Sequence, residues 1–152
     1  MSPSIQLIVL KLDGRSYALH LAVVDQVVRM VEVTPLPGAP EIVDGIINVQ
    51  GRIIPVVNMR KRFGFGLRAV SNTDHIVIAR TTRRPVALVV DAVSGVLEYS
   101  GQEAVAAQDV LPDLEHIEGV VKFSDGLILI HDLDKFLSLE EETALEQAME
   151  ND

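Results

Sequence analysis

GIINVQGRIIPVVNMRKRFG, residues Gly45–Gly64, is the stretch on which the fold turns. It reads as an apolar strand (Ile46–Val49), a tight turn (Gln50-Gly51-Arg52), a second strand (Ile53–Val57) and a short helix opened by Asn58. Val and Ile bounded by Gly favour the strands. Asn58 can cap the turn Met59–Arg62, and Gly64 can close it. Pro55 gives a ladder no N–H, so its strand is expected to be an edge or to carry a bulge there.

The stretch occurs twice. An offset of 74 carries Gly45 onto Gly119, Ile46-Ile47 onto Val120-Val121, and Ile53-Ile54 onto Leu127-Ile128. The same offset takes Asn58 to Asp132, Met59 to Leu133 and Phe63 to Leu137, without a gap. Upstream, an offset of 69 carries Leu7-Ile8-Val9 onto Ile76-Val77-Ile78 and Tyr17-Ala18-Leu19 onto Val86-Ala87-Leu88. It also carries Val24 onto Val93 and Val27 onto Val96. Matching glycine, cap and helix positions at fixed offsets indicate an internal duplication. Its two halves are small for independent folding and are expected to share a core.

Working outward, Ile5–Leu12 and Arg15–Leu21 read as strands across the hairpin signal Asp13-Gly14. A helical turn from Leu21 precedes a strand at Val27–Val33, and Thr34–Pro40 is a rigid connector with three prolines. His75–Arg80 with Arg84–Val90 forms another hairpin, Val93–Tyr99 a further strand, and Ser100–Glu115 a loop. Ser138-Leu-Glu-Glu141 has capping-box spacing, with Leu139, Leu145, Ala148 and Met149 on one side of a terminal helix. Many short strands with one-turn helices predict an all-β chain of two packed small barrels. The expected division is a first barrel at 14–70 and a second at 71–137, with 1–13 and 138–152 as terminal segments of a single domain, 1–152.

Composition bounds the function. Hydrophobic residues make up 48% and aromatics 4%, so the core is aliphatic. With no cysteine, disulfides and thiolate-ligated metals are excluded, and a reducing cytosol is compatible. MSPSIQLIVL has no basic n-region and does not read as a signal peptide, and no apolar run is long enough to span a membrane. The net charge is −9, yet residues 51–90 hold eight Lys/Arg against one acid, Asp74. Such a belt can steer a partner. Nucleic acid is not the expected partner, because the belt lacks interleaved aromatics for stacking.

No catalytic constellation is present. His20, His75, His116 and His131 are isolated, without metal-ligand spacing. His131-Asp132 stands where the first copy has Val57-Asn58, so Asp132 is read as a cap and His131 as a strand residue. Nucleophile-elbow and phosphate-loop sequences are absent. No cofactor is implied, and a binding or scaffold role is favoured over an enzyme.

Gly45–Gly64 resembles the signature of the CheW family, bacterial chemotaxis coupling proteins, roughly G-x-x-N-L-R-G-x-x-x-P-x-x-D-L. Here it reads Gly45, Asn48-Val49-Gln50-Gly51, Pro55 and Asn58-Met59. Gly14–Leu19, the Val24/Val27 spacing, the Pro35–Pro40 connector and Val89–Val93 are also similar to the family. The resemblance covers Ile5–Leu137 and implies two five-stranded SH3-like barrels without enzymatic activity. It implies a cytoplasmic protein at receptor arrays beneath the inner membrane, with no membrane insertion. There it would bridge chemoreceptor cytoplasmic tips to the regulatory domain of a histidine kinase. By match, Val27, Arg29, Gly45, Val49 and Gln50 would meet the receptor, and Asp91, Val93 and Val96 the kinase domain.

The chain departs from the family at two of these positions. The signature arginine is Gln50, and the usual acid of the V-x-E stretch is Arg29. Their side chains are expected to face one groove from neighbouring strands, with Gln50 accepting a hydrogen bond in place of an ion pair. Two alternatives stand beside the coupling role: an interaction module in another signalling pathway, and a small-molecule binder in the inter-barrel cleft.

Overall fold

The computed structural model describes residues 4–12, 14–63, 73–100, 104–106, 117–123 and 126–150. In chain order the strands are β1 (Ser4–Leu12), β2 (Arg15–His20), β3 (Val24–Arg29), β4 (Val43–Val49), β5 (Arg52–Val57), β6 (His75–Arg80) and β7 (Pro85–Val90). They continue as β8 (Ala92–Ser100), β9 (Ala104–Ala106), β10 (Ile117–Phe123) and β11 (Gly126–His131). The helices are α1 (Met59–Phe63) and α2 (Leu139–Glu150), with single 3-10 turns at Leu21–Val23 and Leu133–Lys135. The strands form a five-stranded sheet, β3-β6-β7-β5-β4, and a six-stranded one, β8-β1-β2-β11-β10-β9. The expected all-β pair of SH3-like barrels is therefore present, with one strand more than foreseen.

That extra strand is β9, inside the segment read as loop. It pairs with β10 at Val105↔Val120, as the isolated bridge Thr34↔Ile46 does in the other sheet. Both pairings bring the chain after an outer strand back onto the far edge of its sheet. Closure removes an exposed edge, which explains why so short a strand forms.

The duplication is visible in the pairing register. Val24↔Ala79, Gln26↔Ile78 and Val27↔Val77 join β3 to β6, and Val93↔Leu10, Gly95↔Val9 and Val96↔Ile8 join β8 to β1. Each pair maps on its counterpart at the offset of 69, including the bulge after the first residue pair. At the offset of 74, Val43↔Val57 and Gly45↔Val56 become Ile117↔His131 and Gly119↔Ile130, again with the bulge repeated.

The barrels do not follow the expected 14–70 and 71–137 division. The five-stranded sheet takes β3, β4 and β5 from the first repeat but its β6–β7 hairpin from the second. The six-stranded sheet takes β8 to β11 from the second repeat and its β1–β2 hairpin from the first. The repeats have exchanged their leading hairpins, and residues 4–12 are an inner strand of the second barrel rather than a terminal appendage. Parallel contacts seal the exchange, Val56↔Ala87 in one sheet and Ile130↔Ala18 in the other.

Period-two alternation divides the apolar side chains among three clusters. Along β6, Ile76 and Ile78 face the interior of the five-stranded barrel, while Val77 and Ala79 face a core between the two sheets. Along β1, Leu7 lies within the other barrel, and Ile8, Leu10 and Leu12 point into the shared core. Strands buried on both faces read as unbroken Val/Ile/Leu runs, which is why the sequence shows so little alternation. The shared core also takes Met59, Leu133, Phe136, Leu145 and Ala148. It fills the space between the sheets with aliphatic side chains.

Pro55 sits in a strand flanked on both sides, not at an edge. However, β5 meets β7 only at Val56 and Val57, after the proline, so the missing N–H costs no rung there. In α2 the capping box forms reciprocally. The Ser138 amide donates to Glu141 Oε1 at 2.8 Å, and the Glu141 amide donates to Ser138 Oγ at 3.1 Å. Its buried side is Glu142, Leu145 and Ala148. Leu139, expected there, is 75% exposed, because the helix starts with this residue turned off the shared core.

Candidate docking surfaces

The Gly45–Gly64 unit is held by its own short-range bonds. Gly51 N–H donates to Asn48 Oδ1 at 2.9 Å, and Gln50 takes the left-handed conformation at φ 53°. Asn58 Oδ1 accepts the Lys61 amide at 3.0 Å as an N-cap, while its Nδ2 donates to Asp44 at 2.9 and 3.1 Å. Asp132 repeats the cap, accepting the Asp134 amide at 3.1 Å. The expected closure by Gly64 lies outside the described residues.

The five residues matched to a receptor surface separate into two layers. Val27 (38% exposed), Arg29 and Gln50 reach solvent. Val49 is buried inside the five-stranded barrel. Gly45 is buried as well: a Cβ there would lie 2.2 Å from the Thr34 carbonyl oxygen. The glycine therefore lets Thr34 reach Ile46, with Thr34 N–H donating to Ile46 O at 2.9 Å and Ile46 N–H donating back at 2.8 Å. Gly45 and Val49 shape the surface without forming it.

The Thr34↔Ile46 bridge draws the chain after β3 onto β4, so the two ends of the sheet order that carry Arg29 and Gln50 meet as the barrel closes. Arg29 ends β3 opposite His75 of β6, while Gln50 is in the β4–β5 turn at the other side of the sheet order. Among the described residues no hydrogen bond joins them.

Of the kinase-matched residues, Asp91 accepts from Arg60 Nη2 at 3.1 and 3.2 Å, tying β7 to α1. Val93 is half-buried against the shared core, as its counterpart Val24 is. Val96 is 57% exposed on β8, the outer strand of its sheet. Beside it a depression of about 320 Å³ is lined by Val9, Gly95, Leu97 and Ile128 with Lys11 and Ser16. Sequence reading missed two exposed aliphatics, Val31 (40%) and Ile53 (48%). Ile53 alternates with buried Ile54, a parity signal that Val56 and Val57, both buried on different cores, conceal.

Val27 and Val96 are equivalent positions of the two repeats, both exposed on outer strands, opposite buried Val77 and Ile8 respectively. The duplication thus presents the same aliphatic ledge twice, once per barrel.

Five cations of the basic belt lie beside carboxylates. Arg60 pairs with Asp91, Lys61 with Asp44, Arg62 with Glu141, Arg80 with Asp25, and Arg84 lies 4.0 Å from Glu142. These pairs tie α1, α2 and the hairpins together, while Arg52 and Arg83 remain exposed. Burial pushes the Glu141 carboxyl up, but the Ser138 amide and the Arg62 guanidinium outweigh it and hold it below the ordinary range. His131 is buried between Tyr17 and Phe136, with ring centroids 4.9 and 5.5 Å away, and fills the place Val57 takes in the other repeat. Among the described residues no three His, Cys or acidic side chains gather as a metal site, and no helix is long and apolar enough to cross a membrane.

Comparison with known proteins places this geometry. The CheW-like domain family matches residues 6–141. Chemotaxis protein CheW of Rhizobium meliloti is 28% identical over 141 residues, 91% of each chain. Its counterpart from Thermotoga maritima is 31% identical over 127 residues, 84% of this chain and 83% of that protein. The crystal structure of scaffolding protein TtCheW from Thermoanaerobacter tengcongensis superposes with a TM-score of 0.82 at 32% identity, covering 93% of this chain and 96% of that one.

Proposed function

The chain belongs to the CheW family, a family of non-catalytic chemotaxis scaffolds, and on that premise we propose that it couples chemoreceptor cytoplasmic tips to the regulatory domain of a histidine kinase. The observation that carries this reading is the paired ledge. Val27 and Val96 expose an aliphatic side chain on the outer strand of each barrel. A protein with two such ledges can hold two partners at once, and this is what a coupling protein needs. Val27 with Arg29 and Gln50 would meet the receptor hairpin, and Val96 with Val93 the kinase domain. The work would take place in the cytoplasm, beneath the inner membrane.

Burying an exposed Val on association contributes about 1–2 kcal/mol before ordering costs. An aspartate there removes that gain and adds a charge to be desolvated. Titration calorimetry of Val27→Asp and Val96→Asp against the two partners tests the assignment. Val27→Asp is expected to lower receptor-tip affinity about tenfold or more and to leave kinase-domain affinity unchanged, with the reverse for Val96→Asp. Unchanged affinity of Val96→Asp for the kinase domain would remove β8 from the interface.

Arg29 and Gln50 favour a second reading, service in a divergent signalling pathway. Both charge-bearing family positions differ here, so the receptor that fits this surface carries a different charge pattern.

A further inference from the structure

The helix α2 is where family membership explains least. The family match ends at residue 141, and the helix continues to Glu150. Its inner side lies on elements of both repeats. Leu145, fully buried, and Ala148 enter the shared core beside Leu36 and Leu137. A Cβ on Gly38 of the proline connector would stand 3.8 Å from Ala148 Cβ, and Arg84 Nη1 donates to Met149 Sδ at 3.1 Å. Arg62 of α1 holds Glu141 in the first turn. The seat is thus an apolar groove in which Arg62 binds a first-turn carboxylate and Arg84 stands near a second.

The helix does not fit this seat well. Glu142 is 7% exposed, yet its Oε2 makes no hydrogen bond, and it faces Arg84 Nε at 4.0 Å, which also makes none. A buried pair at that distance leaves desolvation poorly compensated. The last turn has no basic residue and ends on Glu150, against the helix dipole. A twelve-residue helix of this kind has little stability away from its seat.

We propose that α2 is a reversible clasp, and that the groove beneath it is a further docking surface for an amphipathic helix with carboxylates in its first turn and small or aliphatic residues on its inner side. The partner's chemistry follows from the occupant already there, since Arg62 binds a first-turn acid, Arg84 adds a second positive charge beside that turn, and the groove beside Gly38 admits only a small side chain. Val27 and Val96 take no part in it, so it stands apart from the two ledges.

Hydrogen exchange on the unmodified protein is the first test. The α2 amides are expected to exchange on the order of 100-fold faster than those of β6 and β7, because local opening needs only the clasp to lift. Gly38→Cys with Ala148→Cys then locks it: the chain has no other cysteine, and the 3.8 Å Cβ separation suits a disulfide. Oxidation is expected to slow α2 exchange, and reduction to restore it. A fluorescein-labelled peptide of residues 138–152, added to the full chain, is expected to gain anisotropy with the reduced protein and not with the oxidised one. If α2 exchanges together with β6 and β7 in the unmodified protein, the clasp does not open and the inference fails. If α2 opens but the peptide gains no anisotropy with the reduced protein, the docking surface fails.

Discussion

Gly45 and Gly51 are six residues apart in one signature and do different work. At Gly45 a methyl group would collide with the Thr34 carbonyl and break the bridge that closes the first barrel. At Gly51, φ is +84° but nothing stands within 4 Å of the missing Cβ. Gly45→Ala is therefore expected to cost about 2–4 kcal/mol in chemical denaturation, and Gly51→Ala about 1 kcal/mol, the cost of left-handed backbone alone. Equal effects would mean that the close approach at Thr34 relaxes freely. Glu141 gives the pH dependence at this scale. Its folded-state pKa is lowered, so the stability it contributes is present above its ordinary value of 4.5 and is lost as pH falls below it. Thermal melts from pH 6 to pH 3 are expected to show a decline that Glu141→Gln reduces. An unchanged decline would assign acid sensitivity to other carboxylates.

The exchanged hairpins set the behaviour of the elements. Each barrel holds two strands from the other repeat, and β1 stands between β8 and β2 with Leu7, Ile8, Leu10 and Leu12 all buried. Expressed separately, residues 1–70 and 71–152 are each expected to be unfolded by circular dichroism. Mixed in equal amounts, they are expected to regain β structure as a 1:1 complex. A cooperative thermal transition in either half alone would contradict the exchange. Strand positions were legible at this scale because Val/Ile runs, Asp-Gly and Gln-Gly turns and the Asn58 cap are local signals. The partners of those strands were not, because two equal repeats offer each hairpin two equivalent barrels. Nothing in Ile76-Val77-Ile78 distinguishes joining its own repeat from joining the other.

The whole molecule is bound by the core between its sheets, which draws on Leu10, Leu19, Val57, Met59, Leu88, Phe136 and Leu145 from both repeats and α2. Neither barrel can open without exposing the wall of the other. Calorimetry is therefore expected to give a single transition with matching calorimetric and van't Hoff enthalpies, with α2 exchange the only early event. Two resolved transitions would show that the barrels fold independently. The basic belt belongs to this scale too. Read as a run of charge it suggested a steering surface, but the fold returns acids from residues 25, 44, 91 and 141 to its cations.

By itself the sequence determined most of the strands, although it set β3 at Val27–Val33 where Val24–Arg29 forms and read β9 as loop. It determined as well the turns and caps, the duplication and the family. All of these rest on neighbours in the chain or on a repeat at constant offset. It also marked Val27 and Val96 as a pair before either had a surface. Tertiary structure alone decided which hairpin completes which barrel, and that Gly45 and Val49 lie beneath the surface. These depend on contacts between residues distant in the chain. When strands are buried on both faces, an apolar residue looks the same whether it points into its own barrel, into the shared core or out to a partner. Only the pairing of strands separates the three.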